Sequence, residues 1–219
     1  MWNSQVIEML LEGIWDTVYM TLVSTALGYV FGLPMGILLA VTDADGIHPN
    51  AVCYKILDVI ANIIRSIPFL ILLILLIPFT RAVVGQSYGS TATIVPLVIA
   101  AAPFIARMVE SSIKEVDAGV IEAARSMGAG TFTIIVKVLL VEARTSLIVG
   151  STIALGTILG YSAMAGTVGG GGLGDIAIRY GYHRYQTDIM FVTVILLIIL
   201  VQIFQTVGMK ISSRVDKRK

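Results

Sequence analysis

Ser162, in Gly160-Tyr161-Ser162-Ala163-Met164, and His183, in Tyr180-Gly181-Tyr182-His183-Arg184, are residue types able to form a nucleophile and its base. Such a pair would make an intramembrane serine protease, provided the two side chains lie within hydrogen-bond reach. His183 sits in a polar loop with no helix face to aim it into an apolar span, which disfavours the pairing. The run GTVGGGGLG from Gly166 to Gly174 contains G-x-G-x-x-G, yet an apolar span precedes it instead of a strand, and no Lys-Ser/Thr pair follows. Neither a dinucleotide nor ATP is expected there. A glycine-rich turn or re-entrant segment is expected instead. Cys53 is the one cysteine, and the histidines are His48 and His183, so a disulfide framework and a Cys/His zinc site are excluded and no metal site is expected.

The elements that must carry these residues are membrane spans. Of 219 residues, 57% are hydrophobic and 13% charged, against roughly 45–50% and about a quarter in soluble domains. Mean hydropathy is +0.91. A net charge of +1 leaves no basic surface for nucleic acid. Thr17 to Val41 is an uncharged run of 25 residues, about 37 Å of helix and enough to cross a bilayer. Further apolar blocks at about Val59–Thr80, Thr91–Ala106, Leu147–Ala165 and Ile189–Met209 bring the expected count to five spans in an all-α, multi-pass protein of the plasma membrane.

Five spans put the termini on opposite sides. With the N-terminus outside and the C-terminus cytoplasmic, twelve Lys and Arg fall inside, among them Lys210, Arg214, Lys217, Arg218 and Lys219. Only Arg81, Arg179 and Arg184 fall outside, the asymmetry that cytoplasmic loops show. Residues 1–16 then form an external N-terminus, 17–209 the membrane domain, and 210–219 a basic cytoplasmic tail. Gly28, Gly32 and Gly36 recur every four residues on one face of the first span and predict close helix packing. The middles of the spans lack Asp, Glu and His, the ligands a coupling ion needs at depth, so energy for uphill transport must come from elsewhere. Arg65, near a cytoplasmic span end, is expected to snorkel to the headgroups.

Residues 107–144 form a 38-residue cytoplasmic connection, longer than idle loops usually run. Within it Asp117 can cap a helix from about Ala118 to Met127, with Gly128 closing it in the left-handed region. Val120, Ala123, Ala124 and Met127 give that helix an apolar stripe. It is too short to span and suits docking to a partner protein or lying on lipid.

Glu122-Ala123-Ala124, three residues and then Gly128 resemble the EAA signature of the permeases of ATP-binding cassette (ABC) importers. Arg65-Ser66-Ile67-Pro68-Phe69, the run from Ala102 to Glu110, and Gly160-Tyr161-Ser162-Ala163-Met164 extend the resemblance over almost the whole chain, to the methionine-importing branch of that family. The family's block commonly closes with a proline where this chain has Val138-Leu139-Leu140-Val141, and Arg144-Thr145 stands where a second proline is often found. A reshaped helix end is expected there.

The resemblance implies an ABC transmembrane type-1 permease that is not itself an enzyme. It implies a homodimer around a central path, two ATP-binding cassette subunits that hold ATP-Mg, and an extracytoplasmic substrate-binding lipoprotein. This chain would bind no cofactor. L- or D-methionine would be the cargo, with another small amino acid or dipeptide as the alternative within the class, and a passive channel as one outside it. Glu122, Ala123, Ala124 and Gly128 would couple to the ATPase. Tyr161, Ser162 and Met164 would line or gate the path.

Overall fold

The computed structural model describes residues 4–215. Among them the chain is helical, with no strand. The helices are α1 Ser4–Thr42, α2 Ala51–Ser66, α3 Phe69–Leu75, α4 Ile77–Val84, α5 Ser90–Lys114, α6 Ala118–Ser126, α7 Thr131–Ile134, α8 Leu140–Glu142, α9 Arg144–Ala165, α10 Gly172–Ile176 and α11 Thr187–Val215. Two π-helical turns, Ile135–Leu139 and Ala177–Tyr182, join α7 to α8 and extend α10. Of the expected tail, Lys217, Arg218 and Lys219 lie outside the described residues.

Among the described residues, four helical stretches are long and apolar enough to cross a membrane, and the count reaches five if the bent pair α2 and α3 is one span. The second expected span, Val59–Thr80, is therefore corrected. It is not one rod, because α2 and α3 meet at 101°. The cause is local: Ile67 precedes Pro68 and is extended, at φ −84° and ψ 123°, as the proline ring demands of its neighbour. Pro68 then starts α3.

Nor is 107–144 a loop. α5 runs on to Lys114, and most of the chain between Lys114 and Arg144 is helical. Where the family's proline is missing, the chain continues through the π turn as far as Glu142 and breaks only at Ala143, so that α9 starts at Arg144.

α1 is the mast of the bundle. Gly28, Gly32 and Gly36 all face α5, as their spacing predicts. A Cβ added at Gly32 would stand 2.6 Å from the Ala102 carbonyl oxygen and 2.9 Å from Ile105 Cβ, so only hydrogen fits. Opposite them Ala101, Ile105 and Val109 are buried. In the first half of α1, Thr17, Thr21 and Thr25 each donate to the carbonyl four residues back, at 2.7–2.8 Å, which satisfies three hydroxyls without water. Thr17 Oγ1 also accepts from Leu173 N–H at 2.9 Å and so ties α10 to α1.

The glycine-rich run is the turn its composition predicts. Gly169, Gly171 and Gly172 have φ of 80°, 81° and 74°, the left-handed region that a side chain would strain. The turn is fastened to the start of α5, where Gly89 N–H donates to Gly169 O at 2.9 Å and Thr93 Oγ1 donates to Gly170 O at 3.2 Å.

Candidate functional site

At the end of the bundle where α5 stops, the short helix α6 projects with both its caps formed. Asp117 accepts from Gly119 N–H at 2.7 Å. At the other end Gly128 has φ 79°, Gly128 N–H donates to Arg125 O at 2.9 Å, and Ala129 N–H donates to Ala124 O at 3.0 Å. Those two bonds are the paired closure that a left-handed glycine permits after a helix. Arg125 Nη2 donates to Ile47 O at 2.5 Å and so holds α6 to the α1–α2 connection.

The expected apolar stripe divides in two. Ala124 is buried and Ile121 packs beside it on the bundle, whereas Val120, Ala123 and Met127 face outward. Met127 is 81% exposed and Phe132, past the cap, 78%. Glu122 is exposed too, and among the described residues its carboxylate has no partner. Exposed Met and Phe beside an uncommitted carboxylate are what a protein groove can cover.

Gly128→Val is the direct probe of this cap. A β-branched residue at φ 79° costs at least about 1–2 kcal/mol, and the loss falls on the α6 terminus, since an added Cβ meets nothing within 4 Å. The variant is expected to insert and run as a normal membrane protein while capturing the ATP-binding subunits that the sequence resemblance implies several-fold less well in a detergent pull-down. Normal capture would show that the cap plays no part in docking.

Behind α6, a charged network pins α5 to α2, and sequence reasoning missed it. Arg107 Nη1 donates to Glu110 Oε2 at 2.8 Å, while Nη2 reaches Asn62 Oδ1 at 3.0 Å and the Asp58 carboxylate. Lys114 Nζ bridges Glu110 Oε1 and Asp43 Oδ2, each at 2.7 Å. Tyr54 donates its hydroxyl to Glu110 Oε1 at 3.3 Å. Hydrogen bonds from Lys114 and from the Ala44 amide hold the Asp43 carboxyl below its ordinary pKa. The i,i+3 and i,i+4 spacing of Arg107, Glu110 and Lys114 was the available signal.

Tyr161, Ser162 and Met164 share one turn of α9 but not one surface. Tyr161 is half-buried and stacks on Phe69 of α3, with ring centroids 4.5 Å apart. Ser162 is 1% exposed and donates to Leu159 O at 2.7 Å. Its hydroxyl is thus spent on its own helix, neither open to a passing molecule within this chain nor given to an imidazole. His183 lies instead edge-on to Tyr182. Met164 is 51% exposed. With Ile153, Thr157 and Gly160 it occupies one uncovered helical face, at i, i+4, i+7 and i+11. Among the described residues no group of three or more His, Cys, Asp or Glu side chains could hold a metal ion.

Residues 32–218 match the family model described as binding-protein-dependent transport system inner membrane component. A Vibrio cholerae serotype O1 protein named probable D-methionine transport system permease protein MetI is 50% identical over 211 residues, covering 96% of this chain and 94% of that one. The Escherichia coli K12 D-methionine transport system permease protein MetI is 53% identical over 158 residues, 72% of this chain and 73% of that one. Among solved structures, a chain of the MetNI methionine ABC transporter in an inward-facing conformation superimposes with a TM-score of 0.97 at 49% identity, covering 99% of this chain and 100% of that one.

Proposed function

This chain belongs to the family of binding-protein-dependent transport system inner membrane components, and from that premise we propose that it is the permease subunit of an ATP-driven methionine importer. Two copies form the path across the inner membrane. Two ATP-binding cassette subunits, which hold ATP-Mg, dock on the exposed face of α6, and an extracytoplasmic binding protein delivers substrate to the opposite end. The chain does no chemistry of its own.

The observation that carries this reading is α6: a helix capped at both ends, anchored to the bundle through Ala124 and Arg125, with its outer apolar face uncovered. A rigid helix so fixed can turn a movement of the ATPase into a movement of α5 and α9. The N-terminus lies outside and α6 inside, as the Lys/Arg asymmetry requires. Residues 17–209 make the permease unit, with 107–144 as its coupling segment. Residues 1–16 are the external N-terminus, whose described part, from Ser4, is the first stretch of α1, and 210–219 are assigned to the cytoplasmic tail. Glu122, Ala123, Ala124 and Gly128 meet the ATPase. The uncovered face of α9 turns toward the twin chain, where Met164 closes against its symmetry mate, while Tyr161 and Ser162 hold that turn of the helix rigid from behind.

Proteoliposomes holding this chain, its ATPase and its binding protein are expected to accumulate methionine only when ATP is supplied. Met164→Ala shortens a flexible thioether side chain at the seal and is expected to raise ATP-independent methionine leak several-fold. Unchanged leak with unchanged pumping would remove Met164 from the gate, and failure of the wild-type assembly to accumulate methionine would remove the substrate.

A further inference from the structure

Beside the glycine-rich turn, a small pocket lies where α3, α4 and α5 converge on Val168 and Gly170. Its walls are mostly apolar, but hydroxyl-bearing residues line it too: Thr80 of α4, Ser87 of the α4–α5 connection and Thr93 of α5. Thr80 is 3% exposed, and its Oγ1 is buried with no hydrogen-bond partner among the described residues. That sets it apart. Thr17, Thr42, Thr152 and Thr193 each donate to the carbonyl four residues back, which is how an apolar helix satisfies a hydroxyl. Thr80 makes no such bond, and a buried hydroxyl left unpaired costs enough that native proteins rarely keep one.

A second group in the same wall is short of a partner. Pro96, inside α5, has no N–H to offer the Ala92 carbonyl one turn back, so that acceptor lacks its helical donor. Both residues border the pocket. Thr93 Oγ1 shares its proton between Gly89 O at 2.9 Å and Gly170 O at 3.2 Å, which leaves its lone pairs free to accept.

We propose that this pocket binds one water molecule as a fixed part of the structure. The water accepts from the Thr80 hydroxyl and donates to the Ala92 carbonyl and to Thr93 Oγ1, with Ser87 as a further partner. Such a set meets the two to four polar contacts that a buried water needs. The room for the centre of a water molecule is about 10 Å³, which suits roughly one such molecule and nothing larger. A bare cation is disfavoured, because no Asp or Glu borders the pocket to offset its charge. The water also supplies a tie that α4 otherwise lacks. Among the described residues no hydrogen bond links α4 to α5 or to the glycine-rich turn, whereas α5 is bonded to that turn directly. One molecule therefore joins α4 to the fastening that Gly89 and Thr93 already make.

The test is a map of the complete transporter at a resolution that shows ordered water, joined to the stability of the Thr80→Val variant. A peak within hydrogen-bond distance of both Thr80 Oγ1 and the Ala92 carbonyl oxygen is expected, and a clear map without it would overturn the site whether or not any variant folds. Thr80→Val keeps the shape and removes the hydroxyl. If Thr80 were simply unpaired, valine would relieve a buried polar group and raise the unfolding midpoint in a denaturant titration. With the water in place, valine leaves it one bond short, so the midpoint is expected to fall. The fall should be smaller in a Pro96→Ala background, where Ala92 regains a helical donor and the water has less to hold. A midpoint raised or unchanged by Thr80→Val would overturn the proposal. So would stabilisation by sodium over choline at equal ionic strength that Thr80→Val abolishes, since that result identifies a cation.

Discussion

Gly32→Ala is expected to destabilise the protein severely, although alanine is the better helix former by about 0.8–1 kcal/mol. Sterics decide the sign. The new Cβ would stand 2.6 Å from the Ala102 carbonyl oxygen and 2.9 Å from Ile105 Cβ and Cγ2. None of these atoms is the free end of a flexible side chain, so relief requires α1 and α5 to part. Overpacking a core typically costs about 1–3 kcal/mol, and a clash against backbone belongs at or above the top of that range. Gly32→Val should prevent assembly altogether. The readout is the unfolding midpoint in a mixed-micelle denaturant titration, with Gly130→Ala as control, because a Cβ at Gly130 meets nothing within 4 Å. A Gly32→Ala midpoint equal to that of the control would show that α1 and α5 can separate at no cost.

The second large effect is expected at Glu110. Its side chain is only 6% exposed, yet it accepts from Arg107, Lys114 and Tyr54. Glu110→Gln keeps the shape, removes the charge and turns an amide donor toward a cation. Losing one member of a buried pair costs about 3–5 kcal/mol. Here Arg107 keeps Asp58, and Lys114, whose side chain is 42% exposed, keeps Asp43, so about 2–4 kcal/mol is expected. The loss should show first as tryptic cleavage at Lys55 in α2, before global unfolding. Combining Glu110→Gln with Lys114→Met should be less than additive, because the second change removes a cation that the first has left short of a partner. Full additivity would mean that the two side chains do not interact.

These two sites differ in how far sequence could find them. The glycine face was legible because a four-residue period is a local signal, and so were the caps of α6, since Asp117 and Gly128 act on their own immediate backbone. The bend at Ser66-Ile67-Pro68 was not. Counting apolar residues measures length and is blind to direction, and proline also occurs inside a continuous helix such as α5, which holds Pro96 and Pro103. The end of α5 was misread for a related reason. Arg107, Glu110 and Lys114 look like a polar loop until Asp58 and Asp43, far away in sequence, arrive to pair with Arg107 and Lys114. Ser162 carried a chemical expectation because a hydroxyl in an apolar helix looks available, whereas the Leu159 carbonyl of its own helix accepts its hydrogen bond. The family motif was legible, but the charged network inside it was not, because a resemblance marks residues without saying what they touch.

The contact between Thr17 and Leu173 spans 156 positions, and so it also sets an order of events during biosynthesis. α1 leaves the ribosome first, but the helix that covers its glycine face ends at Lys114 and the amide that caps Thr17 comes later still. At about 5–20 residues per second, α1 waits several seconds in the bilayer with a bare small-residue groove. Throughout that interval a nascent neighbour presenting the same groove can compete with α5 for it. The surface that makes the finished bundle tight is therefore also where a crowded, fast-expressing cell would trap it in the wrong embrace.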